Sequence, residues 1–344
     1  MKRAPRSLLQ LSLLVLLAGC AGAKPAAGPP PPPVVTPPVH APAFDAGMKA
    51  FEVGDYASAR DDFMTAAKAN PADYLALWEL GQTCEKLGDG SAAAIAYRAE
   101  LRVKPDADAA IAQLANLYTA EGRVEDALAL ATQGLASVPG SAALHGAIGN
   151  ALATRGDATR GDQDAAIAQY VQAIEREPTN SLLQYTFAVW LNRWHIRGAA
   201  AHLDAARDLG KNDYPMMVAI GHEYRLAGEL ESCVKVFDGL LAKSDRAEPR
   251  TERALCKLGL KDEPGALKDL RGAVAAEPSY PQAHFFLAGR LATARKFADA
   301  ATEYRAYLQL APEGSLAGQA TERLKLAEDA AAPAPIATAK PAKR

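Results

Sequence analysis

Prolines 71, 105 and 139 stand 34 residues apart, and Pro278 and Pro312 repeat that interval. No other feature of the chain constrains its fold as strongly. A fixed interval in the thirties marks one supersecondary unit used repeatedly, each copy too small to bury an apolar face alone. One unit can be read between the prolines, from Tyr74 to Pro105. Leu80-Gly81 sits in a first helix, Gly88-Asp89 marks a turn, Ala93 and Tyr97 follow in a second helix, and Pro105 ends it. Each residue type has a steric reason. Gly and Ala let two antiparallel helices approach closely, the aromatic ring fills the gap beside them, and Pro cannot continue the second helix. The Ala-rich composition, with 6% aromatic residues, suits closely packed helix pairs.

This pattern resembles the tetratricopeptide repeat. The resemblance implies an all-α, right-handed superhelical solenoid. It covers residues 44–312 as about eight units, five clear and three eroded. The first ends in Gly54-Asp55-Tyr56, Ala59, Phe63 and Pro71; the third has Leu114, Tyr118, Gly122, Ala127 and Pro139. The fourth opens with Ile148-Gly149, carries an extra Gly156 to Arg160 at its turn, and resumes with Ala166, Tyr170 and Pro178. An insertion at a turn leaves the packing on either side intact. Pro178 to Pro278 spans 100 residues, two short of three periods, and holds the degenerate units. The fifth puts His195 where the turn glycine belongs. The sixth is recognised by Ile220-Gly221, Tyr224, Gly228, Cys233 and Phe237, and the seventh begins late, after Pro249, with Asp262, Ala266 and Leu270. The eighth has Leu287, Phe297, Ala300 and Tyr304. Residues 313–330 then read as a capping helix with Leu316, Ala320, Leu324 and Leu326 on its apolar side. An open stack needs such a polar-backed end for solubility. The Ala/Pro/Lys tail, 331–344, is expected to be disordered.

Residues 1–19 combine a basic start (Lys2, Arg3, Arg6) with an apolar stretch from Leu8 to Ala18, the length of a signal-peptide core. They run into Leu17-Ala18-Gly19-Cys20, which resembles the bacterial lipobox. That resemblance implies cleavage before Cys20, lipidation of its thiol and acylation of its new amine, an anchor of the strength that several acyl chains give. Ala21 in place of Asp favours, again by resemblance, sorting to the outer membrane, with the protein facing the periplasm. Residues 20–43 follow as a linker with nine prolines, including the run Pro29 to Pro33. Such a segment favours extended polyproline II and spans about 70 Å, a spacer between membrane and repeats.

The formal charge is −2, or −5 without the three basic residues of the leader. No basic face or block of like charge is visible, which argues against a nucleic-acid partner. No catalytic constellation appears either, and no cofactor is expected. P-loop, H-E-x-x-H and C-x-x-C motifs are absent. Gly88-Asp89-Gly90 lacks a preceding strand, Ser232 to Lys235 lacks its companion motifs, and Arg160-Gly161-Asp162 supplies turn residues of a repeat. The six histidines (40, 145, 195, 202, 222, 284) fall in separate units, so a metal site is not expected. Cys84 fills an aromatic slot as a buried thiol. Cys233 and Cys256 lie in helices that should be neighbours; two buried thiols are the expectation, and a disulfide is the alternative in an oxidising compartment.

What a helix stack does is bind. The first helix of each unit lines the concave face, and the register puts Trp78, Gln82, Asn116, Thr119, Asn150, Tyr185, Asn192, His222 and Arg225 there. Asn116 and Asn150 are equivalent positions one repeat apart, and amides so spaced can hold an extended peptide backbone. The plain alternative is a solvated polar groove. The paired basic residues of a carboxylate clamp are not found. A second candidate is the stretch 189–197, where Trp190, Arg193, Trp194 and Arg197 cluster at the break in the pattern. These residue types dominate interface energetics; alternatively, the two tryptophans repack a junction loosened by the missing glycine. The resemblance as a whole implies a non-enzymatic, membrane-tethered scaffold or adaptor for protein partners. It would aid assembly of an outer-membrane pilus, secretion or motility machine, or present cell-wall hydrolases or a protease to their substrates.

Overall fold

The computed structural model describes residues 40–155 and 159–332. The leader, Cys20, most of the proline-rich linker, Gly156 to Ala158 of the turn insertion and the tail after Ala332 lie outside the described residues. What is described is helical throughout, in antiparallel pairs. The first three units are α1 (Pro42–Glu52) with α2 (Tyr56–Ala69), α3 (Tyr74–Lys86) with α4 (Gly90–Val103), and α5 (Asp108–Ala120) with α6 (Val124–Ser137). Next come α7 (Ala142–Thr154) with α8 (Arg160–Arg176), α9 (Ser181–Arg193) with α10 (Ala199–Leu209), and α11 (Tyr214–Leu226) with α12 (Leu230–Lys243). The last pairs are α13 (Ala247–Gly259) with α14 (Glu263–Ala276) and α15 (Pro281–Thr293) with α16 (Phe297–Leu310), closed by α17 (Ala317–Ala331).

The turns of units one, two, three and six are built on the glycines that the spacing pointed to, Gly54, Gly88, Gly122 and Gly228. Gly88 takes φ +75° after α3. Its N–H donates to the Glu85 carbonyl (2.9 Å) and the Asp89 N–H reaches back to Cys84 (2.9 Å), so the last carbonyls of α3 are satisfied. The Asp89 carboxylate then accepts from the Ala92 N–H at 2.9 Å and starts α4. Two residues thus close one helix and open the next. Where glycine is missing the backbone keeps the same path: His195, Lys261 and Arg295 sit at φ +56°, +63° and +58°.

Within a pair, a small residue of the first helix receives a side chain of the second. A methyl at Gly47 would meet the Phe63 ring at 2.8 Å, and one at Gly221 the Phe237 ring at 2.5 Å; Gly81 is closed just as tightly by Tyr97. Phe63, Tyr97 and Phe237 are fully buried. Each ring contributes about 2 kcal/mol by leaving water, so these contacts carry much of the pair's stability. Adjacent pairs join through a series of apolar clusters along the stack, and α17 covers the last of them with Ala320 and Ala327.

Three sequence expectations need correction. The seventh unit does not begin after Pro249: α13 starts at Ala247 and holds the proline in its first turn, where no helical N–H is required. Leu326 does not face inward; it is 61% exposed, and Ala327 takes the buried place. The fourth-unit insertion partly lengthens α8, which has 17 residues against 14 in α4 and α6. Thr159 and Asp162 form a capping box there, which accounts for the Arg160-Gly161-Asp162 tripeptide.

Candidate functional site

The first helices form the inner layer, and α5 and α7 approach each other directly because both are rich in Ala, with two Gly in α7 as well. That closeness decides the fate of the two asparagines. Asn150 Nδ2 donates to Asn116 Oδ1 at 3.0 Å, the Tyr170 hydroxyl donates to Asn150 Oδ1, and Asn116 Nδ2 donates to Gln113 Oε1 at 3.2 Å. The amides therefore form a ladder between repeats that takes about half of each amide's hydrogen-bonding capacity. A peptide docking here would meet two amides already held by Gln113 and Tyr170 and by each other. Thr119 is likewise withdrawn: it is buried, and its hydroxyl donates to the Ala115 carbonyl at 2.9 Å. Beside the ladder lies a recess of about 250 Å³ between α3, α5, α7 and α9, with Trp78 at one side and Leu182 and Leu183 at the other. Trp78 is half-buried and packs on Tyr97 with ring centroids 5.5 Å apart.

Further along the inner face, His222 Nε2 lies 3.0 Å from Glu252 and Arg225 Nε lies 3.9 Å from the same oxygen. Glu252 raises the His222 pKa, with burial opposing. His222 and Arg225 thus share a single carboxylate of the next unit. Tyr185 packs half-buried against the interior of units five and six, where burial and the nearby Glu223 push its phenol up.

The stretch 189–197 is different in kind. Trp190 is half-buried against the interior, and Trp194 stacks on it with ring centroids 5.5 Å apart. The Arg193 guanidinium lies 5.2 Å from the Trp190 ring centre. Arg193 also borders a cleft of about 740 Å³ between the end of α9, the turn through His195 and Arg197, and the end of α11. Asn192 stiffens one wall by donating to the Glu223 backbone carbonyl (3.3 Å) and carboxylate (3.1 Å). Arg193 and Arg197 are exposed and make no ion pair among the described residues, while Leu226 offers a 69% exposed apolar surface beside them. Glu223, Leu226 and Glu229 complete the cleft and were not read from sequence. They come from the following unit, and nothing in the repeat spacing says which residues face across a turn.

Cys233 and Cys256 face each other from α12 and α13 with Cα atoms 6.1 Å apart, and the structure joins them rather than leaving two thiols. Cys84 is a buried free thiol whose pKa is raised by burial. Among the described residues, no group of three or more His, Cys, Asp or Glu converges as a metal site, and no helix is long and apolar enough to cross a membrane.

The family model of the tetratricopeptide repeat matches residues 44–110 and 257–315, the two ends of the stack. The fold is a tetratricopeptide-repeat solenoid. A chain of the APC/C hetero-tetramer Cut9–Hcn1 superposes with a TM-score of 0.50 at 14% identity. The match covers 83% of this chain and 55% of that one, so this chain spans little over half its length. A tetratricopeptide repeat protein from Parabacteroides merdae gives a TM-score of 0.45 at 14% identity, covering 74% and 98% of the two chains. At such identity the likeness is one of fold alone. No curated protein matches the sequence. Tetratricopeptide solenoids act by binding proteins, and the cleft, between residues 189 and 229, lies outside both matched segments.

Proposed function

We propose that this protein is a non-enzymatic, lipid-anchored scaffold of a bacterial envelope. Cys20 holds it on the outer membrane, facing the periplasm, and its solenoid grips protein partners to help a pilus, secretion or motility machine assemble. The observation that carries the binding role is the cleft at the fifth and sixth turns. There Arg193 and Arg197 stand without carboxylate partners beside exposed Leu226. Cations next to an apolar surface are the composition of an interface centre and rim. The tethering role is supported by Leu17-Ala18-Gly19-Cys20, and a Cys233–Cys256 bridge suits an oxidising compartment.

The test combines fractionation with capture from detergent-solubilised envelopes. Cys20→Ser is expected to move the protein from the membrane to the soluble fraction. Arg193→Glu/Arg197→Glu, both exposed, is expected to lose a partner that Asn116→Ala/Asn150→Ala retains. Loss only with the asparagine pair would move the site to the inner recess; retention by both variants, with the fold intact, defeats the cleft. A captured peptidoglycan hydrolase or protease would favour the adaptor role over machine assembly.

A further inference from the structure

The outer face, built from the second helices, carries a groove that neither the inner recess nor the turn cleft touches. It lies between α10 and α12, and its volume is about 670 Å³. Its floor is apolar: Met217, Val236 and Leu240 are 7%, 1% and 4% exposed and reach the groove from below. Its rim is cationic, with Arg207 and Lys211 on one side and Lys235 and Lys243 on the other. The one acid lining it, Asp208, is paired with Arg207 at 3.0 Å, and Arg207 is also held by Asp204 at 2.6 Å. Lys243 reaches across to donate to the Lys211 carbonyl at 2.8 Å, which fixes the width of the groove and leaves two of its three donors free. The Lys211 and Lys235 ammonium groups have no partner among the described residues. Three ammonium groups therefore overlook an apolar floor with no uncommitted carboxylate between them.

Gly239 adds an independent sign. It stands inside α12, where glycine is an unfavourable choice. A methyl built on it meets nothing within 4 Å, so the fold does not require it. At the matching place in α14, the space above Gly272 is filled by the Arg250 guanidinium, 2.8 Å from where a methyl would sit. At Gly239 the same space is open, and it opens into the groove. A bare backbone on a groove floor allows another backbone to approach closely.

We propose that this groove is a second docking surface, which takes an acidic amphipathic helix of a partner protein. The helix lays its apolar stripe on Met217, Val236 and Leu240, passes a small residue over Gly239, and turns its carboxylates to Lys211, Lys235 and Lys243. A flat membrane surface is a poorer fit, because the floor lies below the lysine rim. Two separate surfaces would let one scaffold hold two partners at once. The inference does not depend on the turn cleft, so either can fail alone.

The test uses the full chain in detergent and a series of fluorescein-labelled, 18-residue helical peptides. All share one leucine stripe and differ in carrying glutamate, glutamine or lysine on the flanks. Binding is read by anisotropy. The glutamate peptide is expected to bind saturably, at least tenfold tighter than the glutamine peptide, and to weaken as salt is raised. Lys211→Glu/Lys235→Glu/Lys243→Glu should lower its affinity at least tenfold. Gly239→Phe should do the same by filling the groove, and circular dichroism should show both variants folded. Arg193→Glu/Arg197→Glu should leave peptide binding unchanged. Equal binding of all three peptides, or no change in either groove variant, overturns the proposal. So does lysine-dependent binding to phosphatidylglycerol vesicles without peptide binding, which would make the groove a lipid contact.

Discussion

In units one to three the chain turns through left-handed glycines at 54, 88 and 122; in units five to seven it turns through His195, Gly228 and Lys261. The contrast extends into the pairs. Ring-on-glycine closure is common to both regions, as Tyr97 on Gly81 and Phe237 on Gly221 show, and the regular third and fourth units are joined besides by the Asn116–Asn150–Tyr170 ladder. The eroded units add fasteners that belong to single residues. The Tyr224 hydroxyl donates to Asp204 at 2.7 Å, the Tyr214 hydroxyl to Glu248 at 2.7 Å, Cys233 is joined to Cys256, and Asp269 holds two cations. Where the repeat signal weakens, particular polar and covalent links are added to the shared steric fit. The same divergence yields the cleft and the outer groove, since a surface freed from the repeat pattern can be fitted to a partner.

The largest expected effect compares two buried carboxylates, one from each region. Asp269 is almost wholly buried; Arg253 grips it with two bonds of 2.8 and 2.6 Å, and Lys257 adds a third at 2.8 Å. Burial pushes its pKa up, but Arg253 and Lys257 outweigh burial and hold it below the usual carboxylate range. Its folded pKa lies below its unfolded one, so its contribution is present above the ordinary carboxylate range and is lost as pH falls through the folded value. Glu100 in α4 is also buried, but one of its oxygens has no partner, and burial pushes it up to about 7. The sign reverses: between about 4.5 and 7 the folded state keeps a proton that the unfolded chain releases, so the fold loses stability as pH rises. Asp269→Asn should cost about 3 kcal/mol at pH 8, because it strands the cations. Glu100→Gln should gain roughly 2 kcal/mol at pH 8 and almost nothing near pH 4. Thermal unfolding across pH 4–8 checks both. Equal losses from the two substitutions would erase the distinction between the regions.

Next in size is the bridge, whose cysteines are 23 residues apart in sequence. Closing a loop of that length stabilises by about 3 kcal/mol. Reductant should therefore lower the melting temperature of the wild type and leave Cys233→Ser/Cys256→Ser unmoved. Cys84→Ser, in the regular region, should keep the full response to reductant. Three reactive thiols in unreduced, unfolded protein lacking the Cys20 thiol would remove the bridge and with it the covalent part of the contrast.

Much of the scaffold could be read from the sequence because its demands are local and recur. A proline must end a second helix, a glycine or its substitute must turn left-handed, and a small residue must face a large one at a set distance; each leaves a mark at a fixed interval. Asn116 and Asn150 show where that logic stops. Their equivalence was plain from the 34-residue spacing. Whether they face a ligand or each other depends on how closely α5 and α7 approach, which is set by the sum of many alanine contacts. Pro249 misled for the opposite reason, since one residue can both break a helix and sit in its first turn. The cleft walls and the lysine rim arise between units, where no interval in the chain records which side chains converge.

The smallest effect tests the turns themselves. Lys261 holds φ +63° with the hydrogen bonds that Gly88 makes: its N–H donates to Leu258 at 3.0 Å and the Asp262 N–H to Lys257 at 2.9 Å. A side chain in that backbone region costs about 1–2 kcal/mol, while glycine gives back part of the gain through the freedom it adds to the unfolded chain. Lys261→Gly should therefore stabilise by about 0.5–1 kcal/mol, and Gly88→Lys should destabilise by a similar amount, both read as shifts of the urea midpoint. His195→Gly should behave like Lys261→Gly, since the strain is the same. If it instead destabilises, the imidazole contributes to the fifth turn beyond the backbone. In that case the missing glycine is a substitution that the cleft has put to use, and the two regions differ in purpose as well as in materials.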